Sequence, residues 1–372
     1  MYKFTVVIPT FQRTELLANT LAYLNKQDRY TDDLEVIVVD DGSNDGGRTR
    51  DMVSQFQARY DLKYIYLERI PDASASRTRN AGLDIARGDI VVFMDDDILV
   101  RENFLTEHAR YHDQYDSLLT LGHRRNLNEA ITNRINGQTF TRQELTEESF
   151  PETRMHILQL QSFNLNSCKD AWIHAYSFTM SVKRKNLQRN GICFDEAYQL
   201  WGSEDVDFGY QLYVNGMKVV LNPEIEVYHQ YHGEYHTHPT GLDDSKLREL
   251  KINDQIFEEK RGFSYVKRAH KVRVESVRNN PFFEPMPPTK LYVLRDAAQE
   301  QELRTSLLHD MEKDRHKFLV VYDESGLSNI DLWIQITKQS PSCKLLYYPA
   351  DNPVAEVVRP LMNKDAVEIV VL

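Results

Sequence analysis

The chain has 372 residues, of which 41% are hydrophobic and 27% are charged, as is usual for a folded globular protein. This length is sufficient for two or three domains. The formal net charge of -11 argues against nonspecific nucleic-acid binding as the main task. The three cysteines are odd in number and have no paired spacing, so they support neither a disulfide framework nor a zinc site.

The amino-terminal residues predict a protein of the cytoplasm. A strand-like run begins at Phe4, which leaves no room for a signal peptide. No apolar run approaches the roughly 18 residues that a membrane-spanning helix needs. Any membrane contact is therefore expected to be peripheral.

The first hundred residues alternate between strand-like and helix-like patterns. The strand-like runs lack strict polar alternation, which is typical of strands buried on both faces of a parallel sheet. They are Phe4–Ile8, Leu34–Val39, Leu62–Leu67 and Ile90–Met94. Helical periodicity separates them at Thr14–Asn25, around Met52–Phe56 and at Ala75–Ala86. This order predicts a doubly wound α/β sheet with right-handed crossovers, whose ligands lie at the carboxyl ends of the strands.

Polar residues follow three of these strands. They are Pro9, Thr10 and Arg13 after the first, Asp40 and Asp41 after the second, and Asp95, Asp96 and Asp97 after the fourth. Two carboxylates at i and i+2 after a buried strand point the same way and can bind a divalent cation with its diphosphate. A solvated turn is the alternative for the acidic triplet taken alone, but its place in the sheet favours a metal.

The next part of the chain is less regular. Residues 122–170 are polar, with weak periodicity in Glu144–Gln161, and predict an insertion over the sheet. Strand and helix patterns return at Ser177–Val182, Asp205–Asn215 and Lys218–Leu221. A segment rich in His and Tyr, 227–238, precedes an amphipathic helix at Asp244–Lys260.

Basic residues crowd the segment between Lys260 and Arg278. A surface for an anionic acceptor and a solvated helical face both explain this pattern. The proline-bearing segment 279–288 marks a boundary.

The alternation of strand-like and helix-like patterns resumes after this boundary. Strand-like runs at Lys290–Leu294, Lys317–Tyr322, Lys344–Tyr348 and Val367–Leu372 alternate with helical patterns at Ala298–Lys313 and near Ile330–Gln339. We therefore predict a main α/β domain over 1–240, a helical and basic linker region over 241–288, and a small α/β accessory domain over 289–372.

A second acidic segment, Trp201–Phe208, contains the carboxylate pair Glu204 and Asp205. A carboxylate with a raised pKa is suited to act as a general base. An N-cap role for Asp205, with Trp201 in the core, explains the segment equally well on local grounds. Downstream, His229 is a candidate metal ligand, with His232 as an alternative, because imidazole binds transition metals well.

Five segments in order resemble the GT-A glycosyltransferases, particularly family 2. They are residues 6–13, 38–43, 75–82, 93–97 and 201–205, and the resemblance covers residues 1 to about 240. The second half of this region is similar to the corresponding part of galactosyltransferase-type enzymes such as chondroitin-polymerase domains. The resemblance implies a Rossmann-like, mostly parallel sheet and a metal-dependent enzyme that uses Mn²⁺ or Mg²⁺. It also implies a UDP-sugar donor and, as acceptor, a glycan, polymer, peptide or small molecule.

The resemblance also implies roles on the donor side. Pro9, Thr10 and Arg13 would line the nucleoside pocket, where Asp41 would accept a hydrogen bond from uracil. Arg79 and Asn80 would lie near the donor sugar or ribose.

In the resembling DxD pair, Asp97 is the metal ligand and Asp95 approaches the ribose or the metal. Asp96 fills the variable middle position beside the nucleotide. His229 would complete the metal site.

On the acceptor side, the resemblance makes Asp205 the base of an inverting transfer. Glu204 would bind sugar hydroxyls, and Trp201 would form an apolar wall against a sugar. Phe178 and Ser203 stand where relatives often have glycine, and a phenylalanine there is expected to crowd the pocket.

Two other classes of function fit parts of the pattern. A retaining transferase or a nucleotidyltransferase also needs an acidic metal cluster on an α/β sheet, although no glycine- and lysine-rich triphosphate loop follows the first strand. A non-catalytic sugar-binding or scaffold protein could keep the fold. The accessory domain could form a homodimer, dock a partner or hold the acceptor.

Overall fold

The computed structural model describes residues 2–135, 140–152, 164–165, 168, 170–233, 244–278, 290–313, 318–326, 344–349 and 368–372. Within them, one large mixed sheet contains β1 (Phe4–Thr10), β2 (Leu34–Asp40), β3 (Asp61–Tyr66), β4 (Ile90–Met94), β5 (Ile98–Val100), β6 (Leu118–Leu127), β7 (Ser149–Pro151), β8 (Thr179–Lys183) and β9 (Lys218–His229). The strand order is β3-β2-β1-β4-β8-β6-β9-β5, and β7 pairs with β6.

Eleven α-helices are present among the described residues. They are α1 (Thr14–Leu24), α2 (Arg48–Gln55), α3 (Ser76–Ile85), α4 (Phe104–His112), α5 (Glu129–Ile135), α6 (Arg142–Glu147), α7 (Arg184–Asn190), α8 (Glu204–Val214), α9 (Asp244–Arg261), α10 (Tyr265–Arg278) and α11 (Glu300–Lys313). No helix in this part of the chain is long and apolar enough to cross a membrane.

The first four strands in sequence pair in parallel, as the alternating pattern predicts. Their continuous apolar character follows from burial on both faces of the sheet. In β1, Val6 and Ile8 belong to one core cluster, and Val7 belongs to the cluster on the opposite face. The parallel arrangement brings the polar carboxyl ends of β1, β2 and β4 to one edge of the sheet.

The second half of the sheet differs from the sequence expectation. Strand β6 extends to Leu127 near the centre of the sheet, so residues 122–127 are part of the sheet rather than of an insertion. Strand β9 continues past Leu221 as far as His229. β9 pairs in parallel with β6 and antiparallel with β5, and this pairing brings His229 beside Ile98, directly after the acidic triplet.

Other predicted elements are recovered with shifted bounds. In the weakly periodic segment Glu144–Gln161, residues 144–147 belong to α6 and β7 follows, while most of the rest lies outside the described residues. The basic segment contains a helix, α10, within the region 241–288 that was predicted to be helical and basic.

A second sheet follows the proline-bearing segment. Its strands β10 (Lys290–Leu294), β11 (Phe318–Asp323), β12 (Lys344–Pro349) and β13 (Glu368–Val371) are all parallel, in the order β12-β11-β10-β13. Apolar residues of β10, β11 and α11 form a separate hydrophobic cluster. The predicted small α/β unit is thereby confirmed, whereas the predicted helix near Ile330–Gln339 lies outside the described residues.

Candidate active site

The acidic triplet directly follows β4, and its three carboxylates have different surroundings. Asp96 and Asp97 are buried, whereas Asp95 is partly exposed. Asp96 accepts a hydrogen bond from Thr10 Oγ1 at 2.6 Å and lies 3.4 Å from Arg13 Nη1. Burial and the neighbouring charge of Asp97 raise the pKa of Asp96 to about 7, against the opposing effect of Arg13. Thr10 at the end of β1 and Arg13 just after it therefore fix the position of the Asp96 carboxylate.

Asp97 is the centre of a group suited to a metal ion. The Nε2 atoms of His229 and His232 lie 3.4 and 3.3 Å from its Oδ2 atom. Burial alone would raise the pKa of Asp97, but His229 and the Arg13 guanidinium, 2.8 Å away, lower it well below its usual range. Its other oxygen, Oδ1, is buried and accepts no hydrogen bond from any described residue.

One carboxylate and two imidazoles, with ligand atoms all within 4.8 Å of one another, fit a divalent metal ion. Imidazole is a common ligand of transition-metal ions, and the carboxylate is also a ligand that Mg²⁺ and Mn²⁺ accept. His229 and His232, the two alternatives for the additional ligand, both lie beside Asp97.

Gln230 fixes the segment that carries these histidines. It is fully buried, and its side chain bonds Asn19 Nδ2 at 2.8 Å and the Leu16 carbonyl oxygen at 3.0 Å, both on α1. Its backbone N–H donates to the Asp97 carbonyl oxygen at 2.9 Å. The histidine segment is therefore tied both to α1 and to the acidic triplet.

Arg79 connects the acidic triplet to the second acidic segment. This buried α3 residue donates to Asp95 Oδ1 at 3.2 Å and to Glu204 Oε1 at 3.0 Å, and its guanidinium lies 5.3 Å from the Phe194 ring centroid. Burial would lower the pKa of Arg79, but Asp95 and Glu204 more than offset it and raise the pKa. Asp95 thus faces Arg79 and is not part of the Asp97–His229–His232 group.

Asp205 lies in the first turn of α8, next to Glu204. Its carboxylate accepts hydrogen bonds from the backbone N–H of Ser177 at 3.2 Å and of Val206 at 2.8 Å. Burial, followed by the negative charge of Glu204, raises the pKa of Asp205 to about 7, while Arg79 opposes the shift. The N-cap position itself is occupied by Ser203, so the N-cap alternative for Asp205 does not describe this helix.

A third group lies at the ends of β1 and β2. The Asp41 carboxylate forms an ion pair with Arg69, and its Oδ1 atom lies 3.6 Å from Arg77 Nη1. Oδ1 is buried and accepts no hydrogen bond within the described ranges. The Arg69 guanidinium lies 4.3 Å from the centroid of the partly exposed Phe11 ring. Pro9 is half-buried in β1, opposite Val39.

Two further predicted site residues, Asn80 and Trp201, contact other residues of the fold. The Asn80 side chain exchanges hydrogen bonds of 2.9 Å with the backbone of Phe194 and donates to Glu196 at 2.8 Å. Trp201 is half-buried, with Lys246 Nζ 5.7 Å from its ring centroid.

Phe178 does not project into an open pocket. Its ring is buried in the first core cluster, with the Arg124 guanidinium 5.0 Å from its centroid. The expected crowding at this position is therefore absent among the described residues.

Sequence reasoning missed Phe11, Arg69, Gln230 and the residues that fix the loop before α8. Arg69 could have been predicted from the sequence, because it lies just after β3. In parallel sheets, ligands bind at the carboxyl ends of the strands. Gln230 gives no local signal, since its partners are more than 200 residues away.

Residues 5–188 match the profile of the family described as "Glycosyl transferase family 2". The chain contains a family 2 glycosyltransferase domain. The predicted family resemblance is thereby confirmed, and the matched residues contain the first four of the five segments but not 201–205.

Two curated relatives are each 28% identical to this chain. One is validoxylamine A glucosyltransferase from Streptomyces hygroscopicus subsp. jinggangensis, over 59% of this chain and 53% of that protein. The other is chondroitin synthase from Pasteurella multocida, over 71% of this chain and 28% of that protein. The chain therefore spans about half the length of the first relative and less of the second.

The structure of Staphylococcus aureus TarS 1–349 in complex with UDP-GlcNAc is similar with a TM-score of 0.50. The sequence identity is 17%, over 91% of this chain and 90% of that chain. This similarity supports the GT-A fold.

Proposed function

We propose that this chain transfers a sugar from a UDP-sugar donor to a hydroxyl group of an acceptor, with Asp205 as the general base. The observation that carries the proposal is the contact of one guanidinium, that of Arg79, with both Asp95 and Glu204. Asp95 lies two residues before Asp97 of the group suited to a metal ion, and Glu204 directly precedes Asp205, whose pKa is raised. Arg79 therefore connects the neighbours of these two groups. Transfer from a nucleotide donor needs both kinds of group close together.

The donor's nucleoside is proposed to bind at Asp41 and Phe11. Asp41 Oδ1 can accept a hydrogen bond from a uracil N–H, while Phe11 and Arg69 offer flat surfaces for stacking. Thr10 and Arg13 line the same edge of the sheet through their bonds to Asp96.

Asp97, His229 and His232 would hold a divalent cation, which when bound offsets the charge of the departing diphosphate. Arg13 adds a fixed positive charge beside Asp97. These residues would orient the diphosphate and compensate its charge as the bond to the sugar breaks.

Asp205 would take the proton of the acceptor hydroxyl as its oxygen attacks the anomeric carbon. A pKa of about 7 suits this role, because the base is ionised in a large fraction of molecules and still accepts a proton readily. Glu204 Oε2, which accepts no hydrogen bond within the described part of the chain, can bind a sugar hydroxyl. Attack on the face opposite the diphosphate inverts the anomeric configuration.

The test is a thermal-shift screen of UDP, GDP, ADP and UDP-sugars with Mn²⁺, Mg²⁺ or EDTA, followed by assays of UDP release with hydroxyl acceptors. Because ligands stabilise the native state, a ligand at 100 times its dissociation constant adds about 2.7 kcal/mol. We expect UDP and one UDP-sugar to stabilise the chain in the presence of Mn²⁺ more than GDP or ADP does.

The other outcomes identify the competing functions. Stabilisation by a nucleoside triphosphate with release of pyrophosphate would indicate a nucleotidyltransferase. Binding of sugars with neither hydrolysis nor transfer would indicate a non-catalytic protein. A product with the donor's anomeric configuration, identified by NMR, would contradict inversion with Asp205 as base.

A further inference from the structure

The loop that precedes α8 has an unusual backbone. Leu200, Gly202 and Ser203 all adopt the left-handed region, with φ values of 52°, 97° and 76°. For a residue other than glycine this conformation costs about 1–3 kcal/mol and persists only where neighbouring structure holds it. The loop continues directly into Glu204 and Asp205. Its conformation therefore sets the position of the backbone that carries these two carboxylates.

Asn253, on α9, forms hydrogen bonds with the backbone of this loop. Its buried side chain accepts a hydrogen bond from the Gln199 N–H at 3.0 Å. Its Nδ2 atom lies 2.6, 3.1 and 2.8 Å from the carbonyl oxygens of Gln199, Trp201 and Gly202. The two N–H groups of one amide thus serve three carbonyls, and four contacts from a single side chain span the loop.

The opposite side of the loop is held by backbone contacts. Leu200 N–H donates to the Asp72 carbonyl oxygen at 2.8 Å, and Gln199 pairs with Ala73 in an isolated antiparallel bridge. At the end of the loop, Ser203 Oγ donates to Tyr265 Oη on α10 at 3.2 Å. The strained residues are therefore fixed between the β3–α3 connection and the helices α9 and α10.

The same two helices are bound to the remainder of the main domain by paired charges. Arg261 makes two hydrogen bonds to the buried Asp207 of α8, at 2.7 and 3.0 Å. Arg268 makes two to Asp170, at 2.9 and 3.1 Å. Bidentate pairs of this kind are strong and geometrically specific. These basic residues, which the sequence reading assigned to an acceptor surface or a solvated face, thus bind within the fold.

Aromatic packing completes the connection. Phe257 of α9 stacks on Trp172, with ring centroids 5.8 Å apart and an interplanar angle of 8°, and Tyr210 of α8 contacts both rings. Helices α9 and α10 therefore share a core with the helix that carries Asp205.

We propose that residues 244–278 are an integral part of the catalytic unit rather than a linker, and that Asn253 is a positioning residue for Asp205. It acts by fixing the loop 199–203 in its left-handed conformation. The proposal rests on the proposed function only in naming Asp205 as the group that is positioned.

The test compares Asn253→Ala with a matched control in the full chain. Asn186→Ala also removes a buried asparagine that donates to a backbone carbonyl, that of Asp116 at 2.6 Å, and it lies on α7, outside the loop and the candidate site. Asn253→Asp is a second variant, because its carboxylate keeps the acceptor for Gln199 but faces three carbonyl oxygens. Each variant is examined by hydrogen–deuterium exchange of peptides covering 196–208, by thermal denaturation and by steady-state kinetics.

We expect exchange in 196–208 to rise in both Asn253 variants and to stay at the wild-type level in Asn186→Ala. Turnover should fall by about 10- to 100-fold in Asn253→Ala, as for a small misplacement of a reacting group. The KM for the donor and the affinity for UDP should stay close to wild type, because Asp41 and Asp97 are not altered.

Unchanged exchange in 196–208 overturns the proposal. So does a loss of turnover in Asn186→Ala that matches the loss in Asn253→Ala at an equal fall in Tm. Failure of the proposed function has a different signature: Asp205→Asn would keep wild-type turnover, or the wild-type chain would transfer no sugar. In both cases the exchange comparison still decides whether Asn253 fixes the loop.

Discussion

The two acidic segments that meet at Arg79 compensate their charges by different means. Asp97 has Arg13, His229 and His232 around a single carboxylate oxygen, and its pKa is lowered. Asp205 receives two backbone N–H groups and has Glu204 as a neighbour, and its pKa is raised to about 7. The surroundings of Asp97 keep it ionised, as a metal ligand must be. The surroundings of Asp205 allow it to gain and lose a proton near neutral pH. Two carboxylates of one chemical type thereby acquire different capacities.

The largest expected effect is that of Asp205→Asn, which removes the proton acceptor and leaves its shape. We expect turnover to fall by about 10²- to 10⁴-fold, the contribution usual for general base catalysis, with UDP affinity retained. Steady-state kinetics and calorimetry with UDP measure the two quantities. Asp195→Asn, at the exposed ion pair with Lys260, is the control and should keep wild-type turnover.

Asp205→Asn should also change the stability of the fold, by an amount that depends on pH. A carboxyl group whose folded pKa is raised destabilises the fold as pH rises from about 4 to about 7, because the unfolded chain ionises first. Asp205→Asn should therefore raise Tm at pH 8 by about 2 °C, which corresponds to about 1 kcal/mol, and by less at pH 5. A lower Tm at pH 8 than in the wild type would contradict the raised pKa.

Arg79→Met should remove the connection between the two segments. Breaking one partner out of a buried charge network typically costs about 3–5 kcal/mol of unfolding free energy. Arg79 also lowers the pKa of Asp205, so the rise of kcat/KM with pH should move to higher pH in this variant. Urea denaturation and pH–rate profiles measure both effects, with Arg48→Met, at the exposed ion pair with Glu15, as the control.

Replacement of the histidines tests the Asp97 side of the comparison. His229→Ala and His232→Ala should each weaken Mn²⁺ binding in the presence of UDP by about 10-fold or more, since even outer-sphere changes cost about 10- to 100-fold. Calorimetric titration of Mn²⁺ gives the affinities without an activity assay. His123→Ala removes another buried imidazole, whose ring binds the Pro223 carbonyl oxygen, and should leave Mn²⁺ affinity unchanged.

The smallest expected effect is that of Glu204→Gln. This change removes the negative charge that raises the pKa of Asp205 while keeping a side-chain oxygen for Arg79. Activity requires ionised Asp205, so in the wild type kcat/KM should rise as pH increases through about 7. In Glu204→Gln this rise should occur at lower pH, opposite to the shift in Arg79→Met. Shifts in the same direction would disprove the roles of both charges, and Glu196→Gln serves as the control.

Much of the fold follows from local patterns. β4 and β10 were predicted with the bounds that the structure has, because a strand buried on both faces forms a continuous apolar run. β6 and the extension of β9 were missed, because their later residues are polar and their pairing depends on each other. The packing of α10 was missed, because Asp170, the partner of its Arg268, is 98 residues away in the chain.

The sequence by itself determined the parallel half of the sheet, the acidic triplet at the end of a strand and the carboxylate pair at the start of a helix. These features depend on periodicity, on chain order and on the cost of burying an uncompensated charge. Only the tertiary structure decided that Arg79 joins the two acidic segments, that both histidines lie beside Asp97 and that Asn253 fixes the loop before Asp205. Each of these depends on contacts between residues far apart in the chain, whose geometry arises only when the elements pack. The pKa values follow the same contacts, because burial and neighbouring charges set them.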